Sequence, residues 1–195
     1  MRQVVYYIGG YKASKPDIDA WLLSARKQQP SVFFLGYPYP KDASYDDDSA
    51  VKQFKKDGTF DTVVKDIQWN SADKIYIVGH SSGCAIANAV DRQLTDHSNI
   101  ALVSLDGFKP DKDQLAREST QVWGAMCDGR PSRNYPKEAK GNLLKRLHTY
   151  TATNCKTEWA LHFSLVNTAA NDDLVTIVAQ GYRNCVANLA FLSVK

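Results

Sequence analysis

Residues 74–94 read KIYIVGHSSGCAIANAVDRQL, from Lys74 to Leu94. Lys74 to Val78 is a β-branched and aromatic run that predicts a strand, and Gly83 to Leu94 has the spacing of an amphipathic helix. Between them stands Gly79-His80-Ser81-Ser82-Gly83, a G-x-S-x-G sequence in the strand–turn–helix context of a nucleophile elbow. The spacing has a steric reason. So sharp a turn holds Ser81 in a strained backbone conformation with its hydroxyl lifted from the sheet edge. Glycines two residues either side let strand and helix pass without Cβ clashes. The turn also aims the Ser82 N–H and the positive helix end at a developing oxyanion.

The same alternation extends in both directions. Gln3 to Ile8 is a strand stopped by Gly9-Gly10. A helix follows, opened by Pro16, Asp17 and Asp19, with Ile18, Trp21, Leu22 and Ala25 on one face and Arg26 and Lys27 at its end. Ser31 to Leu35 is a second strand, ended by Gly36-Tyr37-Pro38-Tyr39-Pro40. Residues 41–58 are polar and acidic and read as a solvated loop or a short helix. Phe60, Val63, Val64 and Ile67 have helical spacing. Ile100 to Leu105, Gln121 to Met126 and Leu147 to Thr153 complete six strands, and a last helix runs from near Asn171 to near Leu192. Apolar strands alternating with amphipathic helices predict an α/β fold: a three-layer sandwich around a mostly parallel sheet of about six strands.

Composition excludes other classes. At 195 residues, 44% hydrophobic and 23% charged, the chain reads as one domain over 1–195, neither disordered nor fibrous. Twenty-four Lys and Arg against 21 Asp and Glu leave a formal charge of +3, too mild and too scattered for a nucleic-acid binder. No apolar run approaches the ~20 residues that span a bilayer. The Val4–Ile8 stretch is too short for a signal-peptide core, so the expected location is cytoplasmic. Cys84, Cys127, Cys155 and Cys185 form no CxxC pair, and neither a metal site nor a disulfide scaffold is expected.

A serine nucleophile requires a base. Of four histidines, His80 lies within the elbow and is directed away from the serine hydroxyl. His97 ends the helix after the elbow, and His148 opens the sixth strand; both are expected at the far edge of the sheet. His162 follows the sixth strand and precedes the last helix, at the edge where Ser81 stands, and is the candidate base. Two aspartates end strands at that edge, Asp106 after Leu105 and Asp128 after Cys127. Either gives the order Ser, Asp, His. Geometry leans to Asp128, whose strand is expected beside the one preceding His162.

The sequence resembles the α/β-hydrolase superfamily, and within it the thioesterase branch that releases acyl chains from carrier proteins. Val4 to Gly10 followed by the Trp21-Leu22 helix is similar to that branch's opening strand, glycine loop and first helix. Ile77 to Ala85 is similar to its elbow, Leu102 to Asp106 to its acid-bearing strand, and His162-Phe163-Ser164-Leu165 to the segment carrying its base. The resemblance implies Asp106 as the acid, with Asp128 the alternative. It also implies a second oxyanion donor in the glycine loop, the N–H of Tyr11 or alternatively of Gly10. The chain departs from the branch twice. Only about a dozen residues follow Asp106 before the next strand, too few for a helical lid, and Gly9-Gly10-Tyr11-Lys12 lacks the loop's common histidine and proline.

The expected activity is a serine hydrolase cleaving an acyl ester or thioester through a Ser81–His162–Asp106 triad, without cofactor or metal. The alternatives are a carboxylesterase or lipase-like enzyme and an inactive hydrolase-fold binding module. The expected partner is a small acyl substrate, free or presented on coenzyme A or a carrier protein. Tyr37 is a candidate for lining its pocket. Arg130 and Arg133 open a basic stretch that reads either as a site for an acidic substrate group or as a solvated face.

Overall fold

The computed structural model describes residues 1–44, 47–96, 98–105 and 189–193, together with strands at 121–127 and 147–150 for which the backbone alone is described. Six strands form one sheet: β1 (Gln3–Ile8), β2 (Val32–Tyr37), β3 (Lys74–His80), β4 (Ile100–Leu105), β5 (Gln121–Cys127) and β6 (Leu147–Tyr150). Their order is β2-β1-β3-β4-β5-β6, and each neighbouring pair is parallel. Four helices connect the first four strands: α1 (Lys15–Gln28), α2 (Asp47–Lys56), α3 (Thr59–Gln68) and α4 (Gly83–Gln93). The ambiguous 41–58 stretch thus contains a helix, whose Ala50 and Phe54, four residues apart, are its buried side chains facing the core.

Alternation along β1 assigns the layers. Tyr7 points to α1, where its ring stacks on Trp21 at 3.9 Å between centroids and 6° between planes. Trp21 in turn meets Phe34 of β2 edge-on at 6.0 Å. Helix α1 starts cleanly because the Asp17 carboxylate accepts the Ser14 backbone N–H at 2.8 Å, closing the first turn. Tyr76, on the same face, packs on Phe191 at 5.6 Å, so the 189–193 segment also covers that side. Within it, Ala190–Ser193 form a single 3-10 turn; the rest of the expected last helix lies outside the described residues.

Tyr6 points to the other face, where its hydroxyl donates to Asp66 of α3 at 3.1 Å and accepts from Asn70 at 2.9 Å. Helices α2, α3 and α4 pack on one another over this face. The sheet is therefore covered on both sides, and β1 and β3 are almost wholly buried. Strand β2 differs because it is an edge: Phe33 is 61% exposed although it sits within an apolar run. The outward Phe34 carbonyl is capped by the Arg26 guanidinium at 2.9 Å, which blunts that edge.

Tyr37, the last residue of β2, is half-buried with its ring edge-on to Phe54 at 6.4 Å. Burial, and then the negative charge of Asp66, push its hydroxyl from 10.0 up to about 12. The folded state therefore holds this proton more tightly than the unfolded chain. The stability so contributed is complete below pH 10.0 and is lost as pH rises towards about 12. Alkaline unfolding followed by circular dichroism should steepen in that window, and Tyr37→Phe should flatten it. An identical profile for the variant would refute the assignment.

Candidate functional site

The chain runs from β1 outward to β2 and then returns across β1 to β3, so β1 and β3 flank the point where the winding reverses. In open parallel sheets the loops leaving the strands' C-terminal ends diverge there and leave a crevice. Two loops meet at this crevice, Gly9–Ala13 after β1 and the Ser81-Ser82 turn between β3 and α4.

Ser81 has φ 52, the left-handed region that non-glycine residues enter at a cost of about 1–2 kcal/mol. Its backbone N–H donates to the Leu105 carbonyl at 3.0 Å, extending the β3–β4 ladder by one residue. Its carbonyl accepts from the Cys84 N–H at 3.0 Å, closing the first turn of α4. The serine is thus fixed on both sides while remaining partly exposed. Ser82 is the N-cap of α4, so the N–H following Ser81 belongs to the helix's positive end.

Both elbow glycines meet backbone. A Cβ on Gly79 would stand 2.5 Å from Cys84 Cα, and one on Gly83 would stand 2.4 Å from the Gly9 carbonyl oxygen. Beneath the turn Cys84 is buried, its Sγ donating to the Gly79 carbonyl at 3.0 Å and accepting from the Ser104 hydroxyl at 3.3 Å. It acts as a small polar tie between β3, β4 and α4, turned away from the crevice.

The opposing loop is equally constrained. The Gly10 carbonyl accepts the Ala13 N–H at 2.8 Å, and Lys12 has φ 64, the pattern of a type II turn with Tyr11 and Lys12 at its centre. A Cβ on Gly10 would lie 2.9 Å from Ser81 Cβ and 2.9 Å from the His80 carbonyl oxygen. Gly10 therefore lets the turn rest directly against the elbow, and Tyr11 begins the next peptide. Among the described residues, Lys12 and Ser81 are the two non-glycine positions with positive φ, and they sit on the two loops that Gly10 brings together. Backbone strain of this kind concentrates at functional sites. Neither the Lys12 turn nor the packing of His80 was legible in the sequence. Lysine carries no turn signal, and His80 is fully buried beneath Gly10.

The strand ends frame the remaining candidates. Asp106, Asp128, His162, Arg130, Arg133 and His97 all lie outside the described residues. Leu105, which precedes Asp106, is the residue bonded to the Ser81 N–H. Cys127, which precedes Asp128, ends a strand two positions from β3, and β5 and β6 are neighbours as the sequence implied. Tyr37 packs on Phe54, while Tyr39 two residues later lines a cavity beside the Gly10–Ala13 turn.

His148 needs a correction. As the residue that opens β6 it is expected at the far edge, but β6 starts late. His148 is level with Ala125, Ala125 with Leu105, and Leu105 with His80. It therefore stands at the height of the elbow. What separates it from Ser81 is lateral distance, three strand spacings or about 14 Å.

No protein-family model matches the sequence, and no curated protein matches it. Solved structures do. An uncharacterized protein from Bacillus cereus ATCC 10987 superposes with a TM-score of 0.51 at 12% identity, over 78% of this chain and 53% of the other. An extracellular α/β-hydrolase from a Paenibacillus species gives 0.41 at 20% identity, over 60% of this chain and 48% of the other. An acetylxylan esterase gives 0.42 at 15% identity, over 78% and 83%. The chain thus spans about half of the first two proteins. At these identities the likeness is one of fold. The parallel sheet, the strand order and the elbow after β3 make this an α/β-hydrolase fold.

Proposed function

We propose that the chain is a serine hydrolase that cleaves acyl esters or thioesters through an acyl-enzyme intermediate. One observation carries this reading: the strained Ser81 elbow and the strained Gly10–Ala13 turn abut at the reversal point of the sheet. A serine hydroxyl and two backbone N–H groups, from Ser82 and Tyr11 or Gly10, are what acyl transfer requires in one place.

In the proposed reaction Ser81 Oγ attacks the acyl carbonyl carbon while His162 takes the hydroxyl proton. The tetrahedral oxyanion is held by the Ser82 and Tyr11 N–H groups, each worth roughly 3–4 kcal/mol in comparable sites. Collapse breaks the bond to the alcohol or thiol, which leaves with the proton from His162. Water, deprotonated by His162, then releases the carboxylic acid and restores Ser81. Asp106 orients the imidazole. Its assignment is supported by the resemblance and by Leu105, whose carbonyl is bonded to the nucleophile's own N–H. Preference for thioesters on coenzyme A or a carrier protein rests on the resemblance, and a cytoplasmic location remains part of the same proposal.

Hydrolysis of p-nitrophenyl esters measured beside an acyl-coenzyme A series tests this reading. Turnover of either that disappears in His162→Ala supports it, and no turnover of either series refutes it. Asp106→Asn should lower kcat by about 10⁴-fold, while Asp128→Asn should stay within a few-fold of wild type. The reverse pattern would transfer the acid to Asp128.

A further inference from the structure

Beside the Gly10–Ala13 turn, the loops after β1 and β2 and the end of α2 border a half-open cavity of about 550 Å³. That is within the size range of small-molecule sites. Its apolar walls are Tyr11, Tyr39 and Phe54. The walls are fixed in advance. The Tyr39 N–H donates to the Ala13 carbonyl at 2.9 Å, its hydroxyl donates to the Ser44 carbonyl at 2.5 Å, and its ring meets Tyr11 edge-on at 5.8 Å. Tyr39 thereby joins the cavity to the turn that rests on Ser81.

The rim is charged. Lys15 is neutralised by Asp19 at 2.6 Å, and Asp57 accepts a hydrogen bond from Gln53 at 2.8 Å. Lys12 and Lys41 also line the cavity, and among the described residues neither is in an ion pair. The Lys12 ammonium stands 5.3 Å from the Tyr11 ring centroid, close to the aromatic wall.

Resting on the proposed hydrolase reading, we propose that this cavity is an acyl subsite for esters whose acyl group is aromatic and carries a carboxylate away from the scissile bond. The ring packs against the edge-on Tyr11–Tyr39 pair, the carboxylate meets Lys12 and Lys41, and the ester carbonyl is directed to the turn beside Ser81. An apolar body with one distal anion matches the aromatic walls and a rim on which Lys12 and Lys41 outnumber the Asp57 carboxylate. A neutral ring forgoes the contacts to Lys12 and Lys41, and an anion without a ring leaves the aromatic walls uncovered.

Binding tests this without depending on turnover. Monomethyl terephthalate carries the ester, ring and carboxylate, and methyl benzoate lacks the carboxylate. Titrated calorimetrically into Ser81→Ala protein, monomethyl terephthalate should bind about tenfold more tightly than methyl benzoate, the scale expected of two exposed charge contacts. The advantage should vanish in Lys12→Gln/Lys41→Gln on the same background and persist in Lys41→Arg. Equal affinity for both ligands, or an advantage that survives neutralising both lysines, overturns the subsite. Because these readouts use an inactive serine variant, failure here is distinct from absence of turnover by the wild-type protein.

Discussion

Replacing Ser81 with alanine is expected to lower kcat toward p-nitrophenyl acetate by about 10⁵- to 10⁶-fold, the loss seen when a serine nucleophile is removed from a comparable triad. The expected size follows from the chemistry. Without Oγ no acyl-enzyme forms, and the N–H groups of Ser82 and Tyr11 can assist only direct attack by water. Stability should change little, since serine and alanine bear the same left-handed strain at φ 52. Ser81→Gly separates strain from chemistry: it should be as inactive as the alanine variant yet more stable by about 1 kcal/mol, because glycine enters this region freely. Hydrolysis assays with urea titrations on both variants check the pair. A tenfold or smaller loss in Ser81→Ala would remove the serine from the mechanism.

The second large effect is structural. Gly83→Val should destabilise the protein by about 3 kcal/mol or more, lowering Tm by roughly 6–12 °C for a chain of this size. The new Cβ would stand 2.4 Å from the Gly9 carbonyl oxygen and 2.7 Å from that of Ile8. Both belong to backbone, which moves only by disturbing the end of β1, its pairing with β3, or the turn resting on Ser81. Activity should fall with stability. Gly58→Ala is the control, since nothing lies within 4 Å of its Cβ position and its φ of 74 contributes only about 1–2 kcal/mol of left-handed strain. Calorimetric scans compare the two. Equal small shifts would mean that α4 does not press on β1 as the structure has it.

Strands β1 and β3 were legible in the sequence because burial on both faces leaves long apolar runs, and the elbow because its glycines are enforced by backbone contact. Helix α2 was harder to read. Its inward face rests on Ala50 and Phe54 within a polar stretch, a weak periodic signal that a loop also allows. The height of β6 was not legible at all. Strand register is set by pairing across the sheet, so a histidine opening a strand can still stand at the opposite edge, as His148 does. Phe33 shows the same limit: its run reads as buried, but β2's position at the sheet edge leaves it exposed. The Lys12 turn, half of the candidate site, is dictated by the fit between two loops, and nothing in the residue's identity announces it.

Labelling with a fluorophosphonate, with the adduct mapped by mass spectrometry, shows whether Ser81 is an activated nucleophile. A single adduct on Ser81 is expected, formed by the native protein and lost when the elbow is unfolded in urea. No adduct on native protein, or one at another residue while Ser81 stays unmodified, would contradict it.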